Sequence, residues 1–238
     1  MPDLLKIIKE RKSSRSLFDP NREISKEHLK KIFEAGTWSP TAHNMQNFEI
    51  VAITDKKILK EIGSIKFEMS DIFVRENYEQ LSFSEEELKK KKTGIMGTMF
   101  PEFMRNPETF KNITPEQRRN LILGKAIETS SALLVVIYDP SKRAPASEND
   151  FLGAISLGCL MENIWLMANS LGIGVHIVSS LSAEEAEKQV KKILSIPDNL
   201  KIAFSCRLGY PLPSDTKYVR VRRDIGDFTH LNKFSNKI

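Results

Sequence analysis

Apolar positions follow helical spacing in some stretches and form short continuous runs in others. Leu4, Leu5, Ile7 and Ile8 among Lys6, Lys9 and Glu10 predict an amphipathic helix at the N-terminus. Ser25 precedes a second helix over Lys26 to Ala35, with Leu29, Ile32 and Phe33 on one face and Gly36 just past its end. Thr114-Pro115-Glu116-Gln117 reads as a capping box opening a helix toward Ser130. Ser147 and Asp150 can cap the helix from Phe151 to Leu171, which Gly172 and Gly174 terminate. Ser182-Ala183-Glu184-Glu185 reads as another capping box, for a helix that stops before Pro197.

The short apolar runs predict strands. Phe48 to Thr54 is the first, with Asp55 behind it to cap a short helix. Ala132 to Tyr138 is nearly continuous in Leu, Val and Ile, as suits a strand buried on both faces. Gly174 to Ser179 and Ile202 to Leu208 complete the set. Helices and strands interleave around one sheet. Ile62 to Lys111 differs: it is rich in charge, has scattered aromatics and shows no strand pattern. Glu85-Glu86-Glu87 before Lys89-Lys90-Lys91-Lys92 gives Glu-to-Lys pairs four residues apart, a solvated helix face. The segment reads as a helical excursion covering a site. No repeat or linker interrupts residues 1–238, so a single domain is the expectation.

Composition narrows the class. The chain is 40% hydrophobic and 28% charged, which excludes global disorder. Its net charge of +5 permits an anionic ligand without requiring nucleic acid. Two cysteines, Cys159 and Cys206, lack a C-x-x-C pattern; no zinc site or disulfide framework is expected, and the cytoplasm is the expected compartment. No apolar core of signal-peptide length opens the chain. The run from Phe151 to Leu171 is long enough to raise a membrane span, but Glu162, Asn163 and Asn169 interrupt it. An all-round apolar helix of this kind is expected to be buried in a core or a subunit interface.

Four stretches can carry chemistry. Arg11-Lys12-Ser13-Ser14-Arg15 offers three cations and two hydroxyls to a phosphate, or forms a solvated helix end near the negative dipole pole. Near the other terminus, Arg220 and Arg222 alternate with Val219 and Val221, so both arginines share one face of an extended segment. That pair suits the same phosphate or a protected sheet edge. The loop Ser39-Pro40-Thr41-Ala42-His43-Asn44-Met45-Gln46-Asn47 is dense in amides and hydroxyls, suited to the edge of a heteroaromatic ring or to satisfying its own backbone. The small residues Gly153, Ala154, Ser156, Gly158 and Cys159 let other backbones approach the long helix closely. His28, His43, His176 and His230 lack a nucleophile partner motif and read as structural.

In this order, Arg11-x-Ser13-x-Arg15, Ser39-Pro40-Thr41-Ala42-His43-Asn44-x-Gln46, Leu171-Gly172-Ile173-Gly174, Leu208-Gly209-Tyr210-Pro211 and Arg220-x-Arg222 resemble the FMN-dependent nitroreductase family. The resemblance implies an α+β fold with a nitroreductase-like mixed β-sheet flanked by helices. It also implies an intertwined homodimer with two FMN sites between chains. On this resemblance Arg11, Ser13, Arg220 and Arg222 hold the FMN phosphate, with Lys12 beside them. Arg15 sits by the N1/O2 edge of the ring. Pro40, Thr41, Ala42 and Asn44, with Gln46 of the same loop, come from the other subunit. Val178 and Ser179 lie near N5. Ser179-Ser180 stand where the family often has a small residue or Glu-Gly, and Asn47 where many members have Pro.

The implied function is hydride transfer from NAD(P)H to FMN, then reduction of a nitroaromatic, quinone or similar acceptor in a ping-pong cycle. The first half-reaction needs no catalytic acid, base or nucleophile from the protein, and no metal is expected. A specialised flavoenzyme of the same fold, dehalogenase-like or flavin-fragmenting, is the second reading. A basic nucleic-acid-binding module is the third; it rests on net charge and Lys89 to Lys92, and lacks an RNA-binding strand motif.

Overall fold

A computed structural model of the chain describes residues 3–65, 72, 75–99, 112, 123–213 and 219–237. In chain order its α-helices and strands are α1 (Leu4–Glu10), α2 (Lys26–Thr37), β1 (Glu49–Ile53), α3 (Lys56–Gly63), β2 (Ser82–Phe83), α4 (Glu85–Lys91), β3 (Ile95–Met96), α5 (Leu123–Glu128), β4 (Ala132–Tyr138), α6 (Phe151–Ser170), β5 (Gly174–Ile177), α7 (Glu184–Leu194), β6 (Lys201–Gly209) and α8 (Ile225–Phe228). They fall into two compact units, Met1–Phe67 with Arg119–Pro213, and Glu68–Arg118 with Ser214–Ile238.

The first unit is built on a sheet of order β1-β4-β6-β5 whose ladders are all antiparallel. A parallel bridge between Ser13 and Val175 adds the N-terminal segment to the β5 edge and makes the sheet mixed there. The period of two along β4 explains its continuous apolar run. Leu134 and Val136 pack with Ile32, Leu160 and Ile164 of α2 and α6. Leu133 and Val135 pack with Leu59, Ile127 and Val190 of α3, α5 and α7 on the other face. Full burial of each such side chain contributes about 1.5–3 kcal/mol.

Several helix starts follow the sequence. Ser25 Oγ accepts from the His28 amide at 3.1 Å, Asp55 Oδ1 from Lys57 at 2.7 Å, and Ser147 Oγ from Leu152 at 2.9 Å. Others are corrected. Ser182 does not cap α7: the helix starts after Ala183 without a side-chain cap, because Ser179–Ser182 form a 3-10 turn. Gly36 does not end α2 but lies inside it, where a Cβ would stand 3.1 Å from Leu160 Cδ1, so the close approach of α6 asks for glycine. α6 is covered on one side within its own chain, which leaves the expected subunit interface for the other. Leu160, Ile164, Trp165 and Ala168 are buried, whereas Phe151, Leu152 and Ile155 are exposed. The capping box at Thr114 lies outside the described residues.

In the second unit the strand-free expectation is overturned by a two-residue parallel pair, β2 with β3, too short to leave a periodic signal. α4 forms as expected. Ser84 and Glu87 close a reciprocal capping box at its start. Glu85 pairs with Lys89 at 2.7 Å, and Lys91 lies 3.7 Å from the Phe83 ring centroid. Lys92 then pairs with Asp224 and, at 3.6 Å, with Asp227, joining the end of α4 to the cap of α8.

Arg207 of β6 is 0% exposed, a charge inside the core of the first unit. Its Nη2 donates to the carbonyls of Ser14, Arg15 and Ser16 at 2.9, 3.0 and 2.7 Å. Nη1 donates to the Ala126 carbonyl at 3.3 Å, and Nε to His176 Nδ1 at 3.0 Å. The guanidinium carbon lies 4.3 Å from the centroid of the buried Phe18 ring. A buried guanidinium is tolerated because its donors are met. Burial, with the Arg207 and Arg15 charges, holds the His176 imidazole down to about 3, so it is neutral and its acceptor nitrogen faces Arg207.

Two outcomes follow from this packing. A Cβ on Gly209 would stand 2.6 Å from Phe18 Cγ, so Gly209→Ala is expected to destabilise the protein by roughly 1–3 kcal/mol in urea unfolding; an unchanged midpoint would contradict the contact. An unfolded His176 takes up its proton near its ordinary value of 6.5, whereas the folded one resists protonation down to about 3. The stability this neutrality supports is therefore complete above about pH 6.5 and is lost as the pH falls toward 3. His176→Asn is expected to flatten the fall of the urea midpoint between pH 6.5 and 4, and a fall as steep as in the wild type would count against it.

Candidate active site

The chain leaves α1 at Arg11 and meets the β5 edge through the bridge of Ser13 to Val175. The Ser14 amide donates to the Val175 carbonyl at 2.8 Å, and the Ser14 side chain is buried. Arg11, Ser13 and Arg15 are half-buried and Lys12 is exposed. Arg11 is further positioned by α6. Its Nε lies 3.2 Å from Glu162 Oε1, and its guanidinium carbon lies 4.6 Å from the Trp165 ring centroid. Trp165 Nε1 in turn donates to the Lys12 carbonyl at 3.3 Å.

The loop after α2 is a chain of positive-φ residues, His43, Asn44 and Gln46, held by its own polar groups. Gln46 donates its amide to Thr41 Oγ1 at 3.2 Å and its side chain to Asn44 Oδ1 at 3.1 Å. Ala42 donates to Ser156 Oγ of α6 at 3.0 Å, while Asn163 Nδ2 donates to Ser39 Oγ at 3.0 Å. Asn47 clamps the loop to the turn after β4: it donates to the Asp139 and Lys142 carbonyls at 2.9 and 3.1 Å and accepts from the Asp139 amide at 3.1 Å. A cavity of about 180 Å³ opens here, lined by Thr41, Ala42, Met45, Phe48, Tyr138 and Ser156 among others. Pro40 is exposed beside it in sequence, and His43 is an exposed loop residue.

At the end of β5, the Val178 side chain is buried in the core and its amide donates to the Ser205 carbonyl at 2.8 Å. Ser179, which opens the 3-10 turn, is exposed. Val178 can therefore offer a ligand only main chain, whereas Ser179 can offer its hydroxyl. In the second unit Arg220 and Arg222 are exposed and alternate with half-buried Val219 and Val221, as the sequence pattern implied. Arg222 Nη1 donates to the Val221 carbonyl at 2.7 Å.

The sequence reading missed Arg207 as the anchor of the Arg11–Arg15 segment and His176 as its partner. The available signal was an arginine in the otherwise apolar run Phe204 to Leu208, a residue type rarely buried unless paired. The thiol of Cys206 beside it is pushed up to about 12 by burial and stays protonated. Among the described residues no group of three or more His, Cys, Asp or Glu side chains could hold a metal ion.

A family model described as "Nitroreductase family" matches residues 8–210. An Archaeoglobus fulgidus protein named for NADH dehydrogenase/NAD(P)H nitroreductase is similar at 25% identity, covering 98% of this chain and 100% of that one. A Staphylococcus aureus "NADPH-dependent oxidoreductase" is 23% identical over 90% of this chain and 68% of its own. Among solved structures, a Bacteroides fragilis nitroreductase with bound FMN superposes with a TM-score of 0.59 at 18% identity, covering 97% of this chain and 100% of that one. Nitroreductase A from Vibrio parahaemolyticus gives 0.60 at 21% identity, covering 98% and 78%. These structures share the α+β fold described above, and with the family match spanning residues 8–210 the chain belongs to the nitroreductase family.

Proposed function

We propose that the chain is an FMN-dependent oxidoreductase that draws on NAD(P)H and reduces nitroaromatics, quinones or similar acceptors in two successive half-reactions. The observation that carries this reading is the short segment with Arg11, Ser13 and Arg15 half-buried along it, backed by the buried Arg207 charge. The donor chemistry fits a flavin mononucleotide. A phosphate with close to two negative charges suits guanidinium groups and a hydroxyl in one short segment. Relatives named for NAD(P)H and a similar fold solved with FMN support the same assignment.

In this reading Arg11 and Ser13 bind the phosphate, with Lys12 beside them in sequence. Arg15 places a fixed positive charge at the N1/O2 edge of the ring. Ser179, with the Val178 main chain, faces N5, while Pro40, Thr41, Ala42, Asn44 and Gln46 enclose the ring from a second copy of the chain. Bound FMN supplies the hydride-accepting centre and stores the electron pair between the two half-reactions. The protein orients both substrates in turn against it and stabilises negative charge at the ring edge.

The homodimer is supported by the uncovered apolar surface. Phe151 is 69% exposed and Ile155 45% exposed on α6, and α1 leaves Leu4 and Leu5 exposed. α6 is long and apolar enough to cross a membrane by length and composition. Its Glu162 and Asn163 are instead engaged by Arg11, Ala35 and Ser39, which favours a partner chain over lipid. The free thiols Cys159 and Cys206 accord with a reducing cytoplasm.

Initial rates with NADPH and a quinone varied together test the cycle: parallel double-reciprocal lines are expected, and intersecting lines would contradict it. Arg15→Ala is expected to slow reduction of the bound flavin by about tenfold or more while changing FMN affinity less than about fivefold. An unaltered reduction rate in stopped-flow would remove Arg15 from its assigned place.

A further inference from the structure

We infer that Arg207 and His176 form a positioning couple that sets the backbone of Ser14, Arg15 and Ser16 and thereby aims the Arg15 side chain at its ligand. The inference rests on the flavin reading for the identity of that ligand, but its geometry stands independently. In a strand, successive carbonyls point to opposite edges, so one neighbour can meet only every second one. Here three consecutive carbonyls converge on a single nitrogen, Arg207 Nη2. The sheet cannot impose that arrangement; a forked side chain reaching across from β6 can. Planar peptides whose carbonyls are fixed leave little freedom to the Cα–Cβ direction between them, so the Arg15 side chain inherits its direction from Arg207.

The guanidinium must itself be held at one rotation. His176 does this from β5, accepting from Nε at 3.0 Å, while the Ala126 carbonyl takes Nη1 and the Phe18 ring covers the face. None of these partners is a carboxylate. Among the described residues no carboxylate pairs with this buried positive charge, and it adds to the Arg15 charge on the segment where an anion would bind. His176 accepts from one cation and feels the charge of the other; a second cation in its place would repel both.

The test compares wild type, His176→Leu, which removes the acceptor, and His176→Asn, which restores an oxygen within reach of Nε. Arg207→Lys is carried alongside, since it keeps the charge but loses the fork. In the apoprotein, amide exchange at Ser14 and Asp19, whose N–H groups bond the Val175 and Tyr210 carbonyls on either side of the held segment, is expected to rise about tenfold in His176→Leu and Arg207→Lys, with α6 unchanged and the Asn variant near wild type. In the FMN-loaded enzyme the same two variants are expected to lower the flavin midpoint potential and slow its reduction about tenfold, with kcat falling more than KM rises. Unchanged exchange at these amides would overturn the couple. Raised exchange with wild-type potential and reduction rate would reduce it to a structural contact and overturn the aiming role. If exchange responds but the wild type binds no FMN, the flavin reading fails while the backbone couple stands.

Discussion

The first unit depends on one buried positive charge being fully bonded. Arg207 is on β6, yet its fork reaches the carbonyls of Ser14, Arg15 and Ser16 and the imidazole of the neighbouring β5 strand. Removing the His176 acceptor would leave the buried Nε–H without a partner, at a cost of roughly 1–3 kcal/mol. The segment carrying Arg11, Ser13 and Arg15 is thus tied to the sheet by side-chain chemistry as well as by the bridge from Ser13 to Val175. Glycines keep the neighbouring surface close: a Cβ on Gly174 would stand 2.7 Å from Ser14 Oγ.

α6 serves the rest of the architecture in two ways. Its C-terminal half fills the core through Leu160, Ile164 and Ala168 and holds Arg11 through Glu162 and Trp165. Its N-terminal half supports the 41–47 loop through Ser156 and leaves Phe151 and Ile155 uncovered. A helix that is apolar all round but covered on one side within its own chain is suited to a second copy. The proposed homodimer places the exposed loop against that copy's flavin.

Elements held by burial were legible in the sequence, and those held by long-range polar contacts were not. β4 announced itself because both of its faces are covered, which leaves an apolar residue at nearly every position. Gly36 misled because glycine marks a helix end and a close helix approach equally well. Ser182 misled because its capping pattern is shared by a residue closing a 3-10 turn. β2 and β3 are two residues each, below any period. In the site, the residue types at 11, 13 and 15 suggested an anion partner, but the bridge to Val175 that joins this segment to the sheet left no pattern in the sequence. No spacing in the sequence links Arg207 to Ser14, which lies 193 residues away.

The central claim is that Arg11 and Ser13 hold the phosphate end of a flavin mononucleotide whose ring edge lies by Arg15. Calorimetric titration of the apoprotein with FMN and with riboflavin, which lacks only the phosphate, tests it most directly. Two or more charge-assisted hydrogen bonds, each about 1.5–3 kcal/mol, correspond to FMN binding at least about a hundredfold tighter than riboflavin, with one FMN per chain. Equal affinity for the two flavins, or no binding of either, would contradict the account.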